Sequence, residues 1–170
     1  MTAPGRRLVA SCAVAFALTA LAACNPCNRD GCDAYQRPAQ STAAGPGIAG
    51  IIASLSDVVG NGCQECAFAK GRILIWATPS LIADQASAAA LVKSQTATFT
   101  VESDGHYEKA LDADTYLVCA QQGECAAIAV TTAGRTTVNV RMGNGPFSLA
   151  VFEPGSTVRR TSGIFMVEAR

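Results

Sequence analysis

The side chains with the most chemistry in this sequence are its cysteines. Cys63-Gln64-Glu65-Cys66 has the spacing of a redox-active dithiol. Reactive pairs of that kind sit at a helix N-terminus, which lowers the thiol pKa. Here Ala67-Phe68-Ala69-Lys70-Gly71 and a strand follow, so a thiol oxidoreductase is the lesser reading. With Cys119 and Cys125 the same pair offers four thiolates for zinc, but the gap between Cys119 and Cys125 is loose for such a site. The remaining reading is structural. Cys27, Cys32, Cys63, Cys66, Cys119 and Cys125 form an even set, which in an oxidising compartment reads as three disulfides. Pairing near neighbours gives Cys27–Cys32, Cys63–Cys66 and Cys119–Cys125, with the short Cys63–Cys66 ring hardest to reconcile with disulfide geometry.

Other chemistry is sparse. His106 is the one histidine; it stands at an Asp-Gly turn beside Asp104 and Glu108, with no nucleophile setting nearby to serve as a base for. Asp112 and Asp114 together with Asp104 lack the spacing of a calcium loop and read as turn-forming acids. Trp76, Tyr107, Tyr116 and Phe147 could stack against a sugar, yet their places on alternating strands read first as core. Gly143 and Gly145 precede a strand and not a helix, so they do not cradle phosphate. The expectation is a protein that is not an enzyme, with no catalytic residue, cofactor or metal, and no small-molecule ligand.

The elements that must hold these residues begin with an address. Arg6-Arg7 is followed by an uncharged run from Leu8 to Ala23, the pattern of an export signal and short of the about 20 apolar residues that span a bilayer. Leu21-Ala22-Ala23-Cys24 resembles the lipobox of bacterial lipoproteins. That resemblance implies a signal peptide over 1–23 and a mature chain starting at Cys24, which carries diacylglyceryl and acyl (palmitate-type) chains. Several such chains give stable anchoring. Cys12 leaves with the signal. Asn25, where enterobacterial lipoproteins kept in the inner membrane carry Asp, implies the outer membrane. The chain has 170 residues, with 13 basic and 13 acidic side chains. Without the signal it is large enough for one domain with a real core. No block of like charge exists along it, so the sequence offers nothing to nucleic acid or to an acidic lipid surface. Charged residues are 15% of the chain, against a usual ~25%, consistent with a protein that works against a partner.

Residues 24–47 are rich in Pro, Gly, Asn and Ser and read as a flexible tether. Ile48, Ile51, Ile52, Leu55, Val58 and Val59 recur at helical spacing, so 48–65 is expected as a short helical lead-in, with a strand as the alternative. From 66 to 170 strands and turns take over: 72–77, 97–102, 106–111, 115–119, 127–130, 137–141, 147–152 and 163–167. An Ala-rich helix capped by Ser80 lies between the first two. Regular turns between short strands indicate an all-β sandwich.

Phe99-x-Val101-x-x-Asp104-Gly105-x-Tyr107-x-x-x-Leu111-x-x-x-x-Tyr116-x-Val118 resembles the carboxypeptidase regulatory-like domains, a branch of the transthyretin-like (prealbumin-like) β-sandwiches. Asp112-Ala113-Asp114 stands where that family has Pro-Gly. The resemblance implies a sandwich of seven to eight strands and a non-catalytic accessory or structural role. The resulting expectation is a lipid-anchored outer-membrane protein of the cell envelope. It would serve as a structural or protein-binding module in a surface, transport or motility assembly. A carbohydrate- or peptidoglycan-binding module is the alternative, and an oxidoreductase through Cys63 and Cys66 the further one. An exposed strand edge is the expected contact surface.

Overall fold

A computed structural model describes residues 30–58 and 63–167, with only the backbone described at Asp57, Val58, Cys63 and Gln64. The expected signal peptide, the lipid-bearing Cys24 and Cys27 lie outside these residues. In chain order the elements are α1 (Asp30–Tyr35), β1 (Gly47–Val58), β2 (Cys63–Phe68), β3 (Lys70–Thr78), α2 (Gln85–Ser94), β4 (Phe99–Asp104), β5 (His106–Ala110), β6 (Thr115–Ala120), β7 (Gly123–Ala129), β8 (Arg135–Met142), β9 (Ser148–Phe152) and β10 (Ile164–Val167). The strands follow one hydrogen-bonded path, β10-β7-β6-β3-β4-β5-β1-β8-β9, with β2 paired to the far half of β1. The path doubles over into an all-β sandwich of two sheets, β10-β7-β6-β3-β4 and β2/β5-β1-β8-β9.

The fold line lies between β4 and β5, which pair only at Asp104 and His106. Asp104-Gly105, expected as a hairpin turn, is therefore a corner where the chain leaves one sheet for the other. Gly105 has φ +90°, a conformation side chains resist. Its N–H donates to the Ala69 carbonyl (3.0 Å), Ala69 N–H to Ile52 (2.9 Å), and Ile52 N–H to Gly105 (2.7 Å). Ala69 is the second crossing, between β2 and β3, so this ring of bonds locks both crossings onto the middle of β1.

Ile48, Ile52, Ile73, Ile75, Tyr107, Tyr116, Val118, Ile128, Val138, Val140, Leu149 and Val151 fill the space between the sheets. The outer faces are covered too. On one, Leu74, Trp76, Leu117, Ala127 and Phe165 meet α2 and its flanks through Ala88, Ile82 and Leu91. On the other, Ile51, Ala53, Ala150 and Phe152 meet Tyr35, Cys32 and Ala34 of α1. The layers are thus helix, sheet, sheet, helix.

That layering corrects several expectations. The 48–65 segment is not a helix: it forms β1 and β2, and the sandwich begins at Gly47 instead of 66. Ile48 and Ile52 point inward while Ile51 and Leu55 point under α1; a strand buried on both faces loses its two-residue alternation and mimics helical spacing. The tether is shorter than expected, because α1 packs its buried Tyr35 on the sheet. The second helix starts later than Ser80: Asp84 is its N-cap, accepting from Ser87 N–H at 2.7 Å. That bond holds the Asp84 carboxyl below its ordinary pKa. Ten strands are present among the described residues in place of seven to eight.

Two of the three expected cysteine pairs are also corrected. Cys119 and Cys125 are bridged as expected, across the β6–β7 hairpin. Cys66, however, bonds Cys32, which excludes both Cys27–Cys32 and Cys63–Cys66. The cause is strand geometry. Cys66 sits on the β2 face covered by α1, beside Cys32 of that helix, with Cα atoms 5.3 Å apart.

Candidate functional site

The residues singled out for chemistry are dispersed by this fold. Trp76, Tyr107 and Tyr116 are buried core side chains, the two tyrosines between the sheets and Trp76 under α2, so they form no sugar-stacking row. Tyr107 crosses β1 and donates its hydroxyl to the Val138 carbonyl of β8; burial pushes its pKa up. Tyr116 donates to Asp112 O at 3.1 Å; burial first, then Asp114 and Asp112, raise its pKa. His106 is exposed and tilted against the Phe68 ring, centroids 4.6 Å apart. Asp104 faces Lys70 at 3.9 Å, and Asp114 Oδ1 accepts from Thr115 N–H at 2.8 Å. Among the described residues no three of His, Cys, Asp and Glu gather around a point where a metal could sit. Cys66 is fully buried in its bridge.

The densest polar knot has a structural task. The β1–β8 ladder runs through Ala49↔Thr137 and resumes at Ile52↔Val140. In that gap buried Asn139 accepts from Ile51 N–H at 3.1 Å. Its amide nitrogen faces the carbonyls of Ala34 (3.3 Å), Tyr35 (3.0 Å) and Arg37 (2.7 Å). One side chain thereby mends a strand ladder and ties down the end of α1, whose last carbonyls have no partner within the helix. Sequence reading missed Asn139, because a single Asn inside an apolar strand carries no periodic signal.

Among the described residues, a cleft lies at the end of the sandwich where β7 meets β9. Its volume is about 560 Å³, and it is lined by Gln122, Gly123, the 143–147 loop, Met166 and Val167. Gly123, at φ +116°, is bridged to Phe147; any Cβ there would collide with the Phe147 backbone. Phe147 N–H donates to Gln122 O at 2.8 Å and Glu124 N–H to Phe147 O at 3.0 Å. The Glu124 carboxylate accepts from Leu149 N–H. These bonds hold the Gly143-Asn144-Gly145-Pro146 loop against the β6–β7 turn. The lining offers two carboxamides, exposed backbone and the apolar Pro146, Phe147 and Met166. Such a set suits a neutral, hydrogen-bonding occupant such as an extended peptide or a sugar ring. Gly-Asn-Gly-Pro was the visible signal for this loop, which forms one rim of the cleft.

Strand edges are the other expected contact surface, and two are closed. On β10 the Gln85 carboxamide grips Met166 from the free side, accepting from its N–H at 3.0 Å and donating to its carbonyl. On β9, Arg160 N–H donates to Val151 O at 2.8 Å. The edge of β4 away from β3 has only the Asp104↔His106 pair. Comparison of the chain with protein-family models, with curated proteins and with solved structures returns no match.

Proposed function

We propose that this chain is a lipid-anchored protein of the outer membrane whose sandwich is a non-enzymatic structural or protein-binding module in an envelope assembly. The observation that carries this reading is the Cys32–Cys66 bond. Disulfides persist in oxidising compartments outside the cytoplasm. This one bolts to the sandwich a helix that begins six residues after the lipobox cysteine Cys24. The finer fold assignment, a carboxypeptidase regulatory-like sandwich, belongs to the same reading and rests on the Phe99–Val118 pattern. The cleft beside Phe147 is the contact surface for the partner, with an extended segment of that partner as occupant. The carbohydrate reading keeps one support, the carboxamides of Gln122 and Asn144 beside Phe147.

The test starts from protein taken out of its native membrane, alkylated without reductant, and weighed intact. The expected mass starts at acylated Cys24 and carries no alkyl group. With Cys32–Cys66 closed, three bridges leave Cys27 and Cys63 for each other. A mass that retains residues 1–23 would overturn the lipoprotein reading, and two alkylated thiols at Cys63 and Cys66 would reopen the redox one. A photo-cross-linker at Met166 should then trap an envelope protein. Retention on peptidoglycan that is lost on Gln122→Ala would move the assignment to the carbohydrate module.

A further inference from the structure

We propose that the α1 face of the sandwich lies on the bilayer, where Arg37, Arg141 and Arg159 meet anionic lipid phosphates and Val158 enters the headgroup region. This proposal rests on the lipidation of Cys24. Arg141 and Arg159 hold their guanidinium carbons 5.2 and 5.5 Å from the centre of the Tyr35 ring. Arg159 also donates to Leu149 O at 2.6 Å and to the Tyr35 hydroxyl at 3.3 Å. Arg37 follows Tyr35 by two residues and is exposed. Among the described residues none of the three makes an ion pair. They are far apart in sequence, so no charge run announces them; only the fold collects them. Arg141 is held by stacking and Arg159 by stacking and hydrogen bonds, which lowers the entropy lost when they meet a charged surface.

Val158, next to Arg159, is 75% exposed, the most exposed large apolar side chain among the described residues. Its backbone is held outward by Ser156, whose hydroxyl accepts from Val158 N–H at 3.1 Å. An apolar tip beside arginines is the composition that settles into a lipid interface.

The leash sets the orientation. Between Cys24 and Asp30 the chain can reach at most roughly 20 Å. Asp30 opens α1, and Tyr35 closes it about 9 Å further on. The α1 end is fixed to the sheet by Cys32–Cys66 and by Asn139. The layer bearing the arginines is therefore the layer the anchor holds at the membrane, and α2 faces away. The acids of this layer, Asp30 and Asp33, sit in the first turn of α1, at the end opposite Tyr35.

The test uses the lipidated full chain reconstituted in phosphatidylglycerol–phosphatidylethanolamine vesicles whose acyl chains are brominated near the headgroup. Val158→Trp fluorescence should be quenched strongly. Leu81→Trp, on the α2 side, should be quenched no more than buried Trp76. Arg37→Gln, which removes no packing contact, should shift the equilibrium away from the lying orientation about fivefold, and added salt should do the same. Equal quenching of the Val158→Trp and Leu81→Trp variants, or quenching indifferent to Arg37→Gln and to salt, would overturn the proposal. An indole in the Val158→Trp variant that is shielded from water yet unquenched by bromine would overturn it in favour of a protein partner on this face. The mass of the reconstituted chain separates the two failures: acylated but unquenched protein overturns only the orientation, and unacylated protein overturns both readings.

Discussion

At the scale of the residue, Asn139 concentrates more of the fold than any apolar side chain. Asn139→Ala leaves the Ile51 N–H and the carbonyls at the end of α1 without their partner inside the protein. Each unsatisfied buried group costs roughly 1–3 kcal/mol, so a loss of about 3 kcal/mol is expected, read as a lower denaturation midpoint with an unchanged slope. Asn139→Asp should rescue little, since a carboxylate keeps the acceptor for Ile51 and turns a negative oxygen towards the carbonyls. Gly50 makes the neighbouring point by absence. A Cβ there would overlap the Val138 carbonyl and the Tyr107 ring. Gly50→Ala should therefore prevent stable folding, and adding Tyr107→Phe should not restore it, because the backbone clash remains. Tyr107 and Tyr116 also set an alkaline limit. Their pKa values are raised in the folded state, so their contribution is complete below about pH 10, the ordinary tyrosine value. It is lost as pH rises beyond that. Phenolate absorbance from Tyr107 should appear only together with unfolding.

At the scale of the element, the two bridges differ in reach. Cys32–Cys66 spans 34 residues and Cys119–Cys125 spans 6. On the loop-entropy account the first is worth about 4 kcal/mol and the second about 2 kcal/mol. Melting of Cys32→Ser against Cys119→Ser, both in a Cys27→Ser, Cys63→Ser background, should show that order. Gln85→Ala frees the backbone of Met166 on the β10 edge. The expected result is self-association, followed by sedimentation, with little loss of monomer stability. The strands after Lys70 were legible because turn residues such as Asp-Gly, Ala-Gly and Pro-Gly punctuate them and because β4 and β5 alternate exposed with buried or half-buried positions. β1 was not, since Ile48 and Ile51 are buried on opposite faces and periodicity vanishes when both sides are covered. α1 was hidden for another reason: its six residues gain their stability from Tyr35 on the sheet and from Cys32, and so short a helix has no propensity signal of its own. The bridge to Cys66 was illegible because it depends on which face of a strand each cysteine occupies. Of the candidate cleft only Phe147 and the Gly-Asn-Gly-Pro loop were visible, since Gln122 and Met166 reach it through the closure of β7 on β9.

At the scale of the whole molecule, helices cover both outer sheet faces, which leaves the helical layers themselves, the ends, the rims and the strand edges for contact. The proposed bilayer contact and the proposed partner contact lie on different sites, the Tyr35 face and the Phe147 cleft, and the two should be separable by mutation. Gln122→Ala is expected to weaken partner cross-linking from position 166 without altering the quenching of the Val158→Trp indole, and Arg37→Gln the reverse. The Cys32–Cys66 bond also decides how the molecule bears load. In a Cys27→Ser, Cys63→Ser background, a pull applied upstream of residue 30 passes along α1 only as far as Cys32 and then crosses covalently to β2. The intervening chain, roughly 120 Å of contour, is shielded from tension and cannot extend. Stretched oxidised protein should yield in one abrupt rupture shorter by that length, whereas reduced protein should first peel its N-terminal helix from the sheet.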